Sequence, residues 1–246
     1  MIEFAGRLIL LDIEGTTSNL AFVHEVLFPY ARQRVADYLT AHRGSGPVRD
    51  ALEQVARDAG AANFAAWCPH PADSAEAVAW VVAQVHRLMD ADSKQTGLKQ
   101  LQGLIWEDGY RDGTLRSHVF PEVPACLRVW KAAGLVLCIY SSGSVAAQKL
   151  FFTHTVAGDL TPLFSGYHDT TIGGKREPAS YHAIAAEAQL PPGEILFLSD
   201  VPEELDAAQA VGYAVGLAER PGNRAVSDQR HPRFHSFEEI TVTPIR

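Results

Sequence analysis

Four short apolar runs constrain what this chain can become: RLILLD at 7–12, GLVLCIYSSG at 134–143, GEILFLSD at 193–200 and GYAVGLAE at 212–219. Each is almost unbroken and then stops in polar residues. A strand with one wet face alternates apolar and polar side chains. A run without alternation belongs to a strand covered on both faces, as in a parallel sheet. Helical spacing fills the gaps between the later runs, in VAAQKLFFTHT (145–155), SYHAIAAEAQL (180–190) and EELDAAQAVG (203–212). Strands alternating with helices make an α/β core, a parallel sheet with helices on both faces and right-handed crossovers.

The stretch between the first two runs breaks this rhythm. From about Ala21 to Arg116, apolar residues recur at helical spacing in VLFPYARQRVADYL, VRDALEQVARDA, SAEAVAWVVAQVHRLMDADS and LKQLQGLIWEDGYRDG. Breaks fall around Gly44–Gly46 and at Cys68-Pro69-His70-Pro71. The segment is far too long for a simple crossover. The expectation is an α/β catalytic core made of residues 1–20 and 117–246, with an all-helical cap, 21–116, inserted after the first strand.

The 246 residues, 47% hydrophobic and 20% charged, are enough for a substantial core. A net charge of −8 argues against nucleic acid and anionic membrane as partners, so an anionic ligand would need local positive charge. Three cysteines, Cys68, Cys126 and Cys138, are odd in number and lack metal-ligand spacing, which fits reduced thiols in a cytoplasmic protein. Cys138, inside LVLCIY, is expected in the core. No basic-then-apolar leader opens the chain, and no apolar stretch nears the ~20 residues of a bilayer span.

In an open α/β sheet, ligands gather beyond the carboxyl ends of the strands. The first run ends in Asp12, Glu14, Gly15, Thr16 and Thr17; the second in Ser141, Ser142, Gly143 and Ser144; the third in Asp200, Glu203 and Glu204; Lys175 lies in GGKREPASY ahead of the third. Carboxylates without a Cys or His cluster make a hard oxygen site suited to Mg²⁺. Phosphoryl transfer uses such a set. Asp12 can be the nucleophile, and Glu14, two residues on, the general acid and base. Gly15 allows a sharp turn. Thr16 and Thr17 supply hydroxyls for capping. The hydroxyls and backbone N–H groups of Ser141 and Ser142, ahead of a helix, can hold phosphate oxygens. Lys175 offsets the charge of nucleophile and phosphate.

In order, DIEGTT, SSG, Lys175 and SDVPEE resemble the four motifs of the haloacid dehalogenase superfamily of phosphohydrolases, with Glu14 where that superfamily usually has a second Asp. DIEGTT, AFVHEVLFPYA, LQGLIWEDGY, IYSSGSVAAQKLFF, DTTIGGKREPASY and ILFLSDVPEELDAA, spread between about residues 8 and 223, are similar to the enolase-phosphatase family of methionine salvage. The resemblance implies a Rossmann-like core and a bifunctional enzyme with one Mg²⁺ per chain. The substrate it implies is 2,3-diketo-5-methylthiopentyl-1-phosphate, enolised and then dephosphorylated to the acireductone 1,2-dihydroxy-3-keto-5-methylthiopentene. It also implies Asp12, Glu14 and Asp200 as metal ligands, Glu14 in part through its backbone carbonyl. Ser141, Ser142 and Lys175 would contact substrate, and the enzyme would be a monomer. Pro202 and Gly173-Gly174 depart from the pattern without removing a functional group.

Other residues have plainer readings. Glu204 divides evenly between support of metal or water and a first-turn carboxylate favoured by the helix dipole. Glu203 and Arg176 are expected at the surface. Ten histidines show no HxH or HExxH spacing, so His154 and His168 read as surface or core polar residues. His24, Phe28, Tyr30 and Trp106 are candidates to line the thioether end of the substrate, although aromatics at helical spacing usually fill a core. The enolising base stays open between Glu14 and a cap residue. Three rivals carry a different chemistry. A plain phosphatase would act on another small phosphate ester. A metal-free dehalogenase has no use for Glu14. A receiver-type signalling domain lacks a long inserted cap.

Overall fold

A computed structural model describes residues 1–227 and 230–245. The chain divides into two compact units, one made of Met1–Val23 with the residues from Arg116 on, the other of His24–Leu115. In the first unit, β1 (Ile2–Gly6) precedes β2 (Leu8–Leu11), whose four apolar residues are all buried. A π-helical turn, Phe22–Leu27, leads into the second unit. There the elements are α1 (Phe28–His42), α2 (Gly46–Asp58), α3 (Phe64–Trp67), α4 (Ala75–Asp90) and α5 (Thr96–Arg111). The first unit resumes with α6 (Val123–Ala132), β3 (Val136–Tyr140), α7 (Val145–Thr153), β4 (Gly166–His168) and α8 (Pro178–Ala188). It ends with β5 (Ile195–Ser199), α9 (Pro202–Val211), β6 (Ala214–Ala218), β7 (Arg233–Phe234) and β8 (Ile240–Pro244).

Six strands form one sheet in the order β4-β3-β2-β5-β6-β7, every pairing parallel. The chain builds outward from β2 to one side, then returns and builds outward to the other, so β2 is the topological switch point of a Rossmann-like sheet. Register sets the consequence: Leu11 pairs with both Ile139 and Leu198, which brings the residues after β2, β3 and β5 to one end of the sheet. One face packs Leu8, Leu10, Tyr140 and Phe197 against Tyr181 and Leu205 of α8 and α9. Cys138 is buried in the same cluster, and all three cysteines are unpaired. Proline opens α6, α8 and α9, where its missing N–H costs nothing; Pro202 is therefore an ordinary helix start.

The His24–Leu115 unit is helical throughout and has its own core, with Val35, Leu39, Val48, Leu52, Val85 and Leu101 among its buried residues. Ser45 and Ser74 cap α2 and α4 by accepting from Val48 and Ala77 N–H groups. Tyr30 and Trp106 pack against this core, and Phe28 stacks on Trp106 at 6.2 Å. Trp106 Nε1 donates to the Leu27 carbonyl at 2.8 Å. His24 is exposed, edge-on to Phe28.

The sequence pattern did not announce β1, β4, β7, β8 or α6. β1 and β8 form a separate two-stranded parallel ribbon with Ile2 opposite Ile240. β4 and β7 are three and two residues long, too short to show any periodicity. Among the described residues, no helix is long and apolar enough to cross a membrane.

Candidate active site

The hexapeptide after β2 is a turn folded back on itself. Asp12 extends the sheet by one bond, its N–H donating to Leu198 O at 3.0 Å. Then Thr16, Thr17 and Ser18 N–H groups all converge on the Ile13 carbonyl at 3.3, 3.1 and 2.9 Å. Gly15 makes this possible. Its φ is +69°, and a Cβ there would lie 2.2 Å from Asp200 Oδ2, so both backbone and space demand glycine. Thr17 Oγ1 donates back to Asp12 O and Ile13 O. Glu14 is half-buried and bridges to Ser18.

The structure brings Asp12, Lys175 and Glu204 together. Lys175 Nζ lies 2.8 Å from Asp12 Oδ1 and 2.7 Å from Glu204 Oε2. Ser199 Oγ donates to Glu204 Oε2 at 2.9 Å and lies 3.5 Å from Asp12 Oδ2. Asp12 Oδ1 also accepts from Ile13 N–H at 2.8 Å. Oδ1 is thus engaged twice at short distance, and Oδ2 only by the longer Ser199 contact. Glu204 belongs to the first turn of α9 yet is buried at 8% exposure, turned in on the lysine rather than out to solvent. Glu203 is exposed, as is Arg176.

A shell that the sequence reading missed holds the lysine. Tyr140 donates to Gly173 O at 2.9 Å, Ser180 to Gly174 O at 2.8 Å and Tyr181 to Lys175 O at 2.6 Å. Three successive carbonyls of GGK are therefore fixed from β3 and α8. On the other side, the buried Arg220 donates to Thr16 O at 3.1 Å and pairs with Glu122 at 2.6 Å. Asn223 Nδ2 donates to Gly15 O at 2.9 Å. Nothing in residue type marks such supports in a lone sequence, because their partners are backbone atoms.

In the serine loop after β3, one of the expected phosphate donors is taken: Ser141 N–H donates to His168 O at 3.2 Å, continuing the ladder to β4. Ser141 is buried and its Oγ accepts from Gly143 N–H at 3.4 Å, while Ser142 is exposed. At the start of α7, Val145 N–H is taken by Asp169 and Ala147 N–H by the cap Ser144. Gln148 ties the loop down by donating to Gly143 O and His168 O at 2.7 and 2.9 Å. His168 is half-buried near Glu187, and burial pushes its pKa down. His154 Nδ1 donates within its own helix turn, to Leu150 O at 3.1 Å.

Electrostatically the site is short of positive charge. Burial would lower the Lys175 pKa, but Asp12 and Glu204 more than reverse this and hold it above the usual lysine range. Burial and the charge of Asp12 push Asp200 up to about 7. Three carboxylates with one ammonium suit a divalent cation with a taste for oxygen. Among the described residues, no three His, Cys, Asp or Glu side chains enclose an ion by themselves. Mg²⁺ held here would draw on one or two carboxylates and complete its shell with carbonyl, water and phosphate oxygens.

Comparison with known proteins identifies the family. Residues 7–212 match the family model of haloacid dehalogenase-like hydrolases. Enolase-phosphatase E1 of Methylococcus capsulatus is 49% identical over 95% of this chain and 97% of its own length. The protein of that name from Serratia proteamaculans is 46% identical over 96% and 97%. The crystal structure of the UTR4 protein from Saccharomyces cerevisiae superposes with a TM-score of 0.79 at 35% identity, covering 95% of this chain and 99% of that one. CbbY of Rhodobacter sphaeroides, at 17% identity and a TM-score of 0.58, shares the fold. With relatives this similar along nearly its whole length, the chain belongs to the haloacid dehalogenase-like hydrolases and, within them, to the enolase-phosphatase E1 proteins.

Proposed function

We propose that Asp12 is the phosphoryl acceptor and Glu14 the proton carrier of this enolase-phosphatase. The chain is a methionine-salvage enzyme, an acireductone synthase. It enolises 2,3-diketo-5-methylthiopentyl-1-phosphate and hydrolyses the ester to 1,2-dihydroxy-3-keto-5-methylthiopentene and phosphate. The observation that supports the residue roles is Asp12 at the sheet's switch point, with Oδ1 held by Lys175 and Oδ2 engaged only by the longer Ser199 contact. Oδ2 attacks phosphorus in line with the ester oxygen, and the P–O bond to that oxygen breaks. Glu14 protonates the departing oxygen, then takes a proton from the water that releases phosphate from Asp12. Lys175 pairs with Asp12 and balances the charge of the incoming dianion. The hydroxyls of Ser141 and Ser142 hold phosphate oxygens. Asp12, Asp200 and the Glu14 carbonyl would hold one Mg²⁺, which supplies positive charge to the phosphate oxygens when bound.

The same reading takes His24–Leu115 as a cap that keeps bulk water from the reaction. It also takes the enzyme as cytoplasmic, supported by three free thiols, and as a monomer, as the resemblance implies. The test is to mix protein, Mg²⁺ and the diketo phosphate and follow enol absorbance and free phosphate together. Enol signal ahead of phosphate, both abolished by EDTA, is expected, and Asp12→Asn should form enol without releasing phosphate. Phosphate release from generic esters with no enol signal would leave a plain phosphatase. Phosphate release at the wild-type rate by Asp12→Asn would remove the nucleophile assignment.

A further inference from the structure

Asn223 lies past β6 in the segment Arg220-Pro221-Gly222-Asn223. Its Nδ2 donates to two carbonyls, Gly15 O at 2.9 Å and Ala218 O at 3.1 Å. Two acceptors around one atom fix which end of the amide is nitrogen, since the flipped amide would set Oδ1 against two carbonyl oxygens. Oδ1 is thereby committed to the other side. There it is buried and has no hydrogen-bond partner, although the residue as a whole is half-buried. A buried acceptor without a donor carries an uncompensated desolvation cost, so native structures retain one where something outside the protein completes it.

What Oδ1 faces identifies that something. The position a Gly15 Cβ would take is 2.2 Å from Asp200 Oδ2 and 3.0 Å from Asn223 Oδ1. The orphan acceptor and the Asp200 carboxylate therefore stand side by side at Gly15. Two acceptors facing one space call for a donor between them, and a water polarised by a cation is a donor that the Asp200 carboxylate also favours. Resting on the Mg²⁺ reading above, we propose that Asn223 Oδ1 accepts a hydrogen bond from a water carried by the ion that Asp12 and Asp200 hold, making Asn223 a positioning residue for the metal. Mg²⁺ keeps several of its waters when few carboxylates bind it, and each is a polarised donor. A neutral amide oxygen orients a water there without adding charge beside Asp12, Asp200 and Glu204.

The test is direct metal binding, independent of turnover. Metal-stripped wild type, Asn223→Ala and Asn223→Asp are titrated with Mg²⁺ by calorimetry and with Mn²⁺ by electron paramagnetic resonance. Their thermal unfolding in EDTA is recorded alongside. Asn223→Ala should bind 10–100-fold more weakly, the usual effect of losing an outer partner of a metal site. Asn223→Asp keeps the acceptor and loses the amide donor, and should bind at least as tightly as wild type. Wild-type affinity in Asn223→Ala would overturn the proposal while leaving the metal reading intact. A loss in Asn223→Asp equal to that in Asn223→Ala would overturn it too, by assigning the effect to the donor on Gly15. If Asn223→Ala does not fold, the Asn223→Asp comparison with wild type decides alone. A wild-type protein that binds neither ion would take down the metal reading and the proposal together.

Discussion

At the scale of single residues, one ammonium carries much of the site. Lys175 Nζ is all that separates Asp12 Oδ1 from Glu204 Oε2, at 2.8 and 2.7 Å. Lys175→Gln should lower phosphate release by about 10²–10³-fold, as loss of a preorganised charge does. It should also destabilise the fold by about 3–5 kcal/mol, because removing one partner strands buried charge. Adding Glu204→Gln should recover part of the stability and none of the rate; chemical denaturation and a phosphate assay separate the two. A second residue governs acid sensitivity. Asn19 N–H donates to His118 Nδ1 at 3.1 Å, so the folded state needs a neutral ring. Burial pushes the His118 pKa below its ordinary value. The unfolded chain then binds the proton more readily than the folded one. The stabilisation is present above the unfolded pKa of about 6.5 and is lost as pH falls through the folded value. The Tm of wild type should drop between pH 7 and 5 more steeply than that of His118→Gln. Parallel Tm profiles would exclude this role.

At the scale of elements, the serine loop after β3 is tied to β4 by one buried side chain of α7. Gln148 donates to Gly143 O and His168 O, and so fixes the serine loop to the end of β4. Gln148→Leu should cost about 1–3 kcal/mol, the usual penalty for stranded buried acceptors. It should also raise KM more than it lowers kcat, because the loop binds ground state and transition state alike. An unchanged KM would mean the loop is held elsewhere. This element also shows where the sequence was readable. The apolar runs that became β2, β3, β5 and β6 were long enough to lose alternation visibly, and the polar residues ending them were therefore legible as site candidates. GYH and RF carry no such signal, and α6 lies in a stretch that no pattern singled out. Glu204 stayed ambiguous because an α9 first-turn carboxylate reads the same whether it faces water or Lys175. Tyr140, Tyr181, Arg220 and Asn223 act on backbone carbonyls, which leave no trace in residue spacing.

At the scale of the whole molecule, the two units have separate cores and unequal reporters. Trp67, Trp80 and Trp106 belong to the helical unit and Trp130 to α6 of the other. Unfolding in guanidinium should give a fluorescence midpoint that differs from the midpoint of far-UV circular dichroism. Coincident curves would show that the two units unfold as one. The ribbon of β1 and β8 imposes a different constraint, one of time. Ile2 pairs opposite Ile240, and Ile2 and Phe4 are buried in the folded chain. At a synthesis rate of about 5–20 residues per second, β1 is made roughly 10–50 s before its partner. For that interval a growing polypeptide carries a strand whose hydrogen-bonding partner has not yet been made. A ribosome that stalls before Ile240 leaves β1 without that partner, an unpaired edge open to any chaperone or protease that samples the chain.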